Sequence, residues 1–405
     1  MTGKPPEPGN GTAEGSAGEV LAVFLRLGLT SFGGPIAHLG YFREELVVRR
    51  RWLGDAAYAD LVALCQFLPG PASSQVGLAL GLMRAGWLGA LAAFLAFTLP
   101  SALILLVFAL TAAAISGPVG TGALAGLKIV AVAIVAQAVW GMARSLCPDR
   151  ERAAIAVGAV AVLAFLPGAA GMVTAILFGA LAGLALGRGT GTAVGGHVAM
   201  PVPRLVAVGA LGVFFALLFG LPMLAGWSHG LAVIDGFYRA GALVFGGGHV
   251  MLPLLEAEVV RTGWVTSDAF IAGYGAAQAV PGPLFTFAAY LGAVLDPSLG
   301  TVAGAALALT AIFLPGFLLL IGVLPFWDRF RTLAPARSLM QGANAAVVGI
   351  LGAALYSPVF TSAVGDMRDF TLAAVCFVAL TAWKAPPWAV VILAAAGGAG
   401  LSVIA

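Results

Sequence analysis

Two short motifs in this sequence interrupt apolar runs in a way that frees backbone donors. The first reads Phe24-Leu25-Arg26-Leu27-Gly28, then Phe32-Gly33-Gly34-Pro35, with His38 close behind. A Gly-Gly pair breaks a helix, and Pro35 fits the first position of a new one because it has no N–H to lose there. The start of such a half-helix presents unpaired N–H groups at the positive end of the helix dipole, which is a ready anion site. Arg26, about two turns upstream, is the natural counter-charge for an oxyanion. The second motif is Gln66-Phe67-Leu68-Pro69-Gly70-Pro71, followed by Ser73, Ser74 and Gln75. Prolines flanking a glycine must interrupt the helix, leaving carbonyls on one side and donors on the other, with Gln66 and Ser74 as neutral hydrogen-bonding groups.

Both motifs recur. Arg239 precedes Phe245-Gly246-Gly247, and Gln278 precedes Pro281-Gly282-Pro283 and Thr286. The candidate substrate-binding set is therefore Arg26, Gly33, Gly34, Gln66, Gly70 and Ser74, with Arg239, Gly246, Gly247, Gln278 and Gly282 as counterparts. The plainer alternative is that the arginines snorkel to an interface and the breaks only kink helices or let them pack closely. Asp60, isolated in an apolar stretch, and His38, just after the first break, are the candidates for carrying a coupled proton. The equivalent Glu45 and Glu258 read as partners of nearby arginines. There is no nucleotide-binding Gly-rich loop, no His/Glu zinc motif and no nucleophile elbow, and Cys65, Cys147 and Cys376 stand apart. The reading is of a protein that is not an enzyme and carries neither a cofactor nor a metal.

The elements that position these residues are membrane helices. Hydrophobic residues make up 61% of the 405-residue chain and charged residues 9%, and the mean hydropathy is +1.03. Apolar stretches recur along the sequence, among them 87–114, 124–146, 205–224 and 299–324, without the period-two alternation of a membrane barrel. Only helices then satisfy the backbone, so the fold class is an all-α polytopic membrane protein with the lipid bilayer as its solvent. The formal net charge of +3 sits in short loops, which argues against a nucleic-acid partner.

Aligning Phe24 with Phe237 and Trp52 with Trp264 reveals a duplication of about residues 24–187 in 237–405. Residues 1–18 read as a disordered tail, 19–187 as a first repeat, 188–229 as a connector with one transmembrane helix, and 230–405 as a second repeat. The single extra crossing inverts the second repeat. Charge agrees, since Arg43, Arg49, Arg50 and Arg51 follow the first Gly-Gly break where Glu256, Glu258 and Asp268 follow the second. Inverted repeats with broken helices place a substrate site near the midplane. About 13 membrane segments are expected, and parity leaves open whether the motif segments cross or dip in and return.

Phe32-Gly33-Gly34-Pro35-Ile36-Ala37-His38, the basic stretch ending in Trp52-Leu53, and Gln66-Phe67-Leu68-Pro69-Gly70-Pro71 resemble the signature of the chromate ion transporter family, the ChrA type, in its long two-domain form. The resemblance covers nearly the whole chain. It implies a multi-pass protein of the bacterial inner membrane that exports chromate from the cytoplasm, driven by membrane potential or proton gradient, and confers chromate resistance. The second half departs from the pattern, with Gly248 in place of Pro35 and Phe285-Thr286-Phe287 in place of Ser73-Ser74-Gln75. Chromate and sulfate-like oxyanions are not separated by the sequence, because both are tetrahedral dianions with four acceptor oxygens. A passive anion channel and a non-transporting scaffold subunit are the alternative readings, and a homo-oligomer is compatible with each.

Overall fold

The computed structural model describes residues 15–112, 117–187, 202–245, 247–295, 299–330 and 333–404. Among the described residues all regular structure is helical. Helix α1 (Ala17–Thr30) starts inside the stretch read as a tail, because the Ser16 hydroxyl accepts from the Glu19 N–H at 3.1 Å and caps it. Residues 1–14 lie outside the described set. Gly33 (φ 97°) and Gly34 (φ 79°) take the left-handed conformation and turn the chain into α2 (Gly34–Phe42), which widens into a π-helical stretch, Arg43–Arg49.

This pair does not cross the membrane. The 14 residues of α1 rise about 21 Å, against about 30 Å of hydrocarbon. Arg50, at the end of the returning arm, lies 3.9 Å from Glu19 at the start of α1, and the Phe24 and Phe42 rings meet edge to face between the arms. Helix α3 (Asp55–Phe67) and the first arm of α4 (Ala72–Ala112) form a second hairpin around Pro69-Gly70-Pro71. Arg84, at the end of that arm, pairs with Glu19 at 3.0 Å and covers the Trp52 ring at 5.3 Å. Both hairpins thus have their roots on one face, which answers the question that loop parity left open. At Ala85 and Gly86 the backbone leaves helical geometry and reverses, with Gly81 and Gly89 packed backbone to backbone, and only the second arm of α4 spans.

The first repeat continues through α5 (Gly117–Leu146), α6 (Arg150–Phe165) and α7 (Ala169–Leu186), and α8 (Arg204–Leu224) is the connector. The second repeat follows the same plan with α9 (His229–Ala242), α10 (Met251–Leu255), α11 (Ser267–Ala277), α12 (Phe287–Val294) and α13 (Thr301–Val323). It ends with α14 (Trp327–Phe330), α15 (Ala334–Ala354), α16 (Thr361–Ala363), α17 (Met367–Thr381) and α18 (Pro387–Ile404). His229, at the start of α9, meets Trp264 edge-on at 5.1 Å and marks the roots of its hairpins. Among the described residues, six helical stretches are long and apolar enough to cross a bilayer, the interrupted α4 being one of them.

The second arm of α4 reveals the inversion. Leaving Gly86 it reaches Ser101 beside Gly282, at the tip of a second-repeat hairpin. Ala102 and Leu106 then cluster with Ala289 and Ala293 of α12, and Phe108 lies 5.6 Å from Tyr290. The arm therefore passes α12 from tip to root while moving away from the first repeat's roots, so the two sets of hairpins enter from opposite faces. The repeats also interleave, since α5 packs on α17 and α18, whereas α15 packs on α6 and α7. Small residues make these crossings close, with Gly126 against Ala394 and Gly179 and Gly183 against Gly342.

The root face of the first repeat is basic, with Glu45 holding Arg49 at 2.7 Å and Arg50 at 2.8 Å. In a background free of Cys65, Cys147 and Cys376, we expect Asp55→Cys to react with an impermeant thiol reagent only from the cytoplasmic side. Thr266→Cys is expected to react only from the opposite side. Labelling of both from one side would contradict the inverted arrangement.

Candidate functional site

The hairpin tips meet at the centre of the molecule through an exchange of main-chain hydrogen bonds. Gly70 N–H donates to the Val244 carbonyl at 2.8 Å, and Gly282 N–H donates to the Ser31 carbonyl at 2.8 Å. Val244 and Ser31 are equivalent residues, each just before a Phe-Gly-Gly break, so the two bonds are related by the pseudo-two-fold axis. Gly70 (φ 118°) and Gly282 (φ 101°) are held close to the spanning helix of the other repeat. A Cβ on Gly70 would come 2.9 Å from Gly316 Cα, and one on Gly282 would strike Ser101 Oγ. Ser101 and Gly316 each follow a mid-helix proline, Pro100 and Pro315, which deprives a carbonyl one turn back of its donor.

Around this crossing lies a buried polar layer. Ser31, His38, Ser73, Ser74, Gln75, Thr98 and Ser101 are each at most 2% exposed. Ser74 and Thr98 stand equally far along the chain from the Gly86 reversal, about 18 Å along each arm, so both arms of α4 bring them to one depth. His38 Nδ1 lies 3.4 Å from Ser73 Oγ, and the ring also faces the Ser31 main chain and the edge of Phe97. Gln75 Nε2 donates to the carbonyls of Pro69 at 3.0 Å and Gly316 at 2.8 Å. Six atoms in the layer have no hydrogen-bond partner among the described residues: Ser31 Oγ, His38 Nε2, Ser74 Oγ, Gln75 Oε1, Thr98 Oγ1 and Ser101 Oγ. A buried unpaired group costs about 1–3 kcal/mol. Buried polar groups are met by protein, ordered water or a ligand, so this layer can take hydrogen bonds from something other than the protein.

The charged candidates divide. Arg26 lies on an exposed face of α1 between Leu25 and Leu29, with Glu45 near enough to feel its charge. Arg239 is half-buried and donates to Asp235 at 2.8 Å and Glu258 at 2.9 Å. Asp60 is buried toward the basic face and accepts from Trp327 Nε1 at 3.2 Å. His249 Nδ1 meets the Tyr274 hydroxyl at 2.7 Å. Gln66 is exposed and Gln278 half-buried, with Gln278 Nε2 unpartnered among the described residues. Gly33 is exposed, a Cβ on Gly34 or Gly247 would meet open space, and Gly246 lies outside the described residues.

The sequence matches the chromate transporter family over residues 18–184 and again over residues 231–401. It is a member of that family. It is 30% identical to a chromate transport protein of Pseudomonas aeruginosa, over 94% of this chain and 91% of the relative. It is 28% identical to a chromate transport protein of Cupriavidus metallidurans over 86% of each chain, and 26% identical to a probable chromate transport protein of Synechococcus elongatus over 94% of each. No solved structure matches the chain. Each family match begins at or near the root of a first hairpin and ends in the last helix of a repeat, so one family unit is one repeat.

In this chromate transporter family member, sequence reasoning missed Thr98, Ser101, Asp235 and Gly316. Extending the repeat alignment past the second motif, with three extra residues allowed in the second repeat, pairs Pro100 with Pro315, which would have pointed to Ser101 and Gly316. Asp235, one helical turn before Arg239, is a recognisable i,i+4 partner. At the glycines, Gly70→Ala and Gly282→Ala are each expected to destabilise the purified protein by about 2–5 kcal/mol, combining left-handed strain with overpacking. Gly34→Ala, with open space around it, should cost only about 1–2 kcal/mol. Thermal unfolding in detergent checks the order.

Proposed function

We infer that this chain is a secondary transporter that carries chromate, and sulfate-like tetrahedral oxyanions of the same shape, out of a bacterial cytoplasm. The reciprocal bond pair between broken segments of inverted repeats supports this reading most directly. Such a junction holds two rigid halves at a midplane point without a continuous helix, which suits rocking of one half against the other. The exposed backbone at Gly33 supports it too, because irregular backbone at membrane depth is tolerated only within protein or beside water. That opening gives an anion a route to the breaks.

The residues proposed to serve the anion have distinct tasks. Arg26, on the exposed face of α1 about two turns before the break, attracts the dianion. Arg239 has its charge met by Asp235 and Glu258, so it steadies the second-repeat hairpin and contributes little attraction. The donors at Gly33 and Gly34, and at Gly246 and Gly247 across the axis, receive oxygens at close approach. Gln66 and Gln278 flank the breaks. Ser74 lies in the buried layer behind them. The N–H groups of Gly70 and Gly282 are engaged between the repeats, and their part is to release and remake those bonds as the halves move. Coupling to the proton-motive force runs through Asp60 or His38.

Reconstituted into vesicles, the protein is expected to accumulate chromate against its gradient when a potential or pH difference is imposed, with sulfate competing. Flux that only dissipates the chromate gradient would indicate a channel, and no flux would favour a scaffold. Asp60→Asn should flatten the pH dependence of flux while leaving oxyanion binding within about three-fold. Arg26→Ala should weaken binding roughly ten-fold, the loss of its attraction for the dianion across a short distance. Arg26→Lys should restore part of it.

A further inference from the structure

The two repeats share a backbone plan but not the chemistry of their interiors. With the repeats matched motif by motif, so that Ser31 pairs with Val244, Pro69 with Pro281 and Pro100 with Pro315, the polar layer of the first repeat has largely apolar counterparts. His38 corresponds to Met251, Ser73 to Phe285, Gln75 to Phe287, Thr98 to Phe313 and Ser101 to Gly316. Ser74 alone keeps a hydroxyl counterpart, Thr286, and that hydroxyl is already used, donating to the Pro283 carbonyl at 2.7 Å. The aromatic counterparts pack on one another or their neighbours, with Phe285 and Phe313 at 5.6 Å and Phe270 and Phe287 at 5.3 Å. Rings occupy the place that hydroxyls occupy across the axis.

Contacts join the first-repeat groups into one patch. Ser101 lies against Gly282, Gly282 bonds to the Ser31 carbonyl, His38 faces the Ser31 main chain, and Ser73 touches His38. Thr98 is one turn before Ser101 on the same helix face, and Ser74 follows Ser73. Four of the unpartnered atoms are hydroxyls, which donate or accept as required, and His38 Nε2 adds an imidazole nitrogen. The patch itself carries no arginine or lysine.

Building on the transport reading, we propose that the chain holds a single oxyanion at a time, in a one-sided site of the first repeat formed by Ser31, His38, Ser74, Thr98 and Ser101. The ligand is a tetrahedral dianion bound by neutral donors, and the second repeat supplies the wall and the Gly282 hinge. Neutral donors match a cargo that must leave again, since a direct ion pair at this depth would hold the dianion too firmly for turnover. The division also explains why the Ser73-Ser74-Gln75 pattern need not recur in the second half.

Equilibrium binding of chromate, and separately sulfate, to the purified full-length protein in detergent tests this. The parent should bind one anion per chain. Thr98→Val, which keeps shape and removes the hydroxyl, and Ser101→Ala should each weaken binding ten-fold or more. Thr98→Ser should restore it, and Thr286→Ala should bind as the parent. Thermal unfolding of each variant separates lost folding from lost binding, and the near-isosteric Thr98 pair keeps the comparison interpretable if Ser101→Ala is unstable. Two anions per chain, equal weakening by Thr286→Ala, or Thr98→Val and Ser101→Ala binding as the parent would each overturn the one-sided site while leaving the transport reading intact. A parent that binds chromate with these effects but moves none in vesicles would sink the transport reading and leave the site standing. A parent that binds neither anion would overturn both.

Discussion

Every backbone N–H and C=O within hydrocarbon must find a partner, and this fold is arranged around four places where a helix stops before it has crossed. A break in a lone membrane helix would leave several such groups unpaired. Here the breaks come in pairs, and each repeat completes the other. The Gly70 N–H answers the Val244 carbonyl and the Gly282 N–H answers the Ser31 carbonyl, so neither repeat is saturated alone. The close approach this demands excludes side chains at both glycines. It also places Ser101 and Gly316, the residues after the mid-helix prolines, directly against the opposite tips. Interleaving of α5 with the last hairpin of the second repeat, and of α15 with that of the first, extends the mutual dependence to the periphery.

On that symmetric frame the side chains are unequal. One interior carries hydroxyls, an imidazole and a carboxamide, and the other carries phenylalanines at the matching positions. The outer surfaces differ as well. Helix α8 covers α9 and α13, and the Tyr238 hydroxyl donates to the Phe214 carbonyl at 3.0 Å across that contact. The corresponding faces of α1 and α4 remain open, with Leu25, Leu29, Leu88 and Leu91 exposed. Arg26 lies on this open face, while its counterpart Arg239 is half-buried between two carboxylates. Equivalent arginines thus meet different surroundings, and only the half-buried one is held by carboxylates.

The all-helical class, the duplication and the inversion were legible because Arg, Trp, Gln, Gly and Pro recur in register and because the loop charges change sign. The breaks were legible for the same reason that they exist: glycine pairs and flanked glycines cannot continue a helix. What the sequence did not disclose is which arms return to which face. That depends on Glu19, Arg50, Trp52 and Arg84 coming together from four separate segments, and no local pattern encodes such a meeting. Nor did it disclose that Gly70 and Gly282 act on the opposite repeat, since partner choice is set by the packing of the whole. Thr98 and Ser101 were passed over because two hydroxyls in a long apolar run look like ordinary helix residues. Their depth becomes meaningful only once the reversal at Gly86 brings the two arms of α4 side by side.

During biosynthesis the first repeat leaves the ribosome long before its partners exist. The Ser31 carbonyl and the Gly70 N–H are made early, whereas Val244 and Gly282 follow far along the chain. A 14-residue α1 is also too short to be retained as a stable span, for which about 20 residues are needed. The early hairpins must therefore wait, either near the interfacial water or sheltered within the insertion machinery, until the second repeat arrives from the opposite face. Assembly of the centre is a late event that closes the molecule at one stroke. A first repeat standing alone would be left with broken backbone that lipid cannot satisfy, unless another repeat met it.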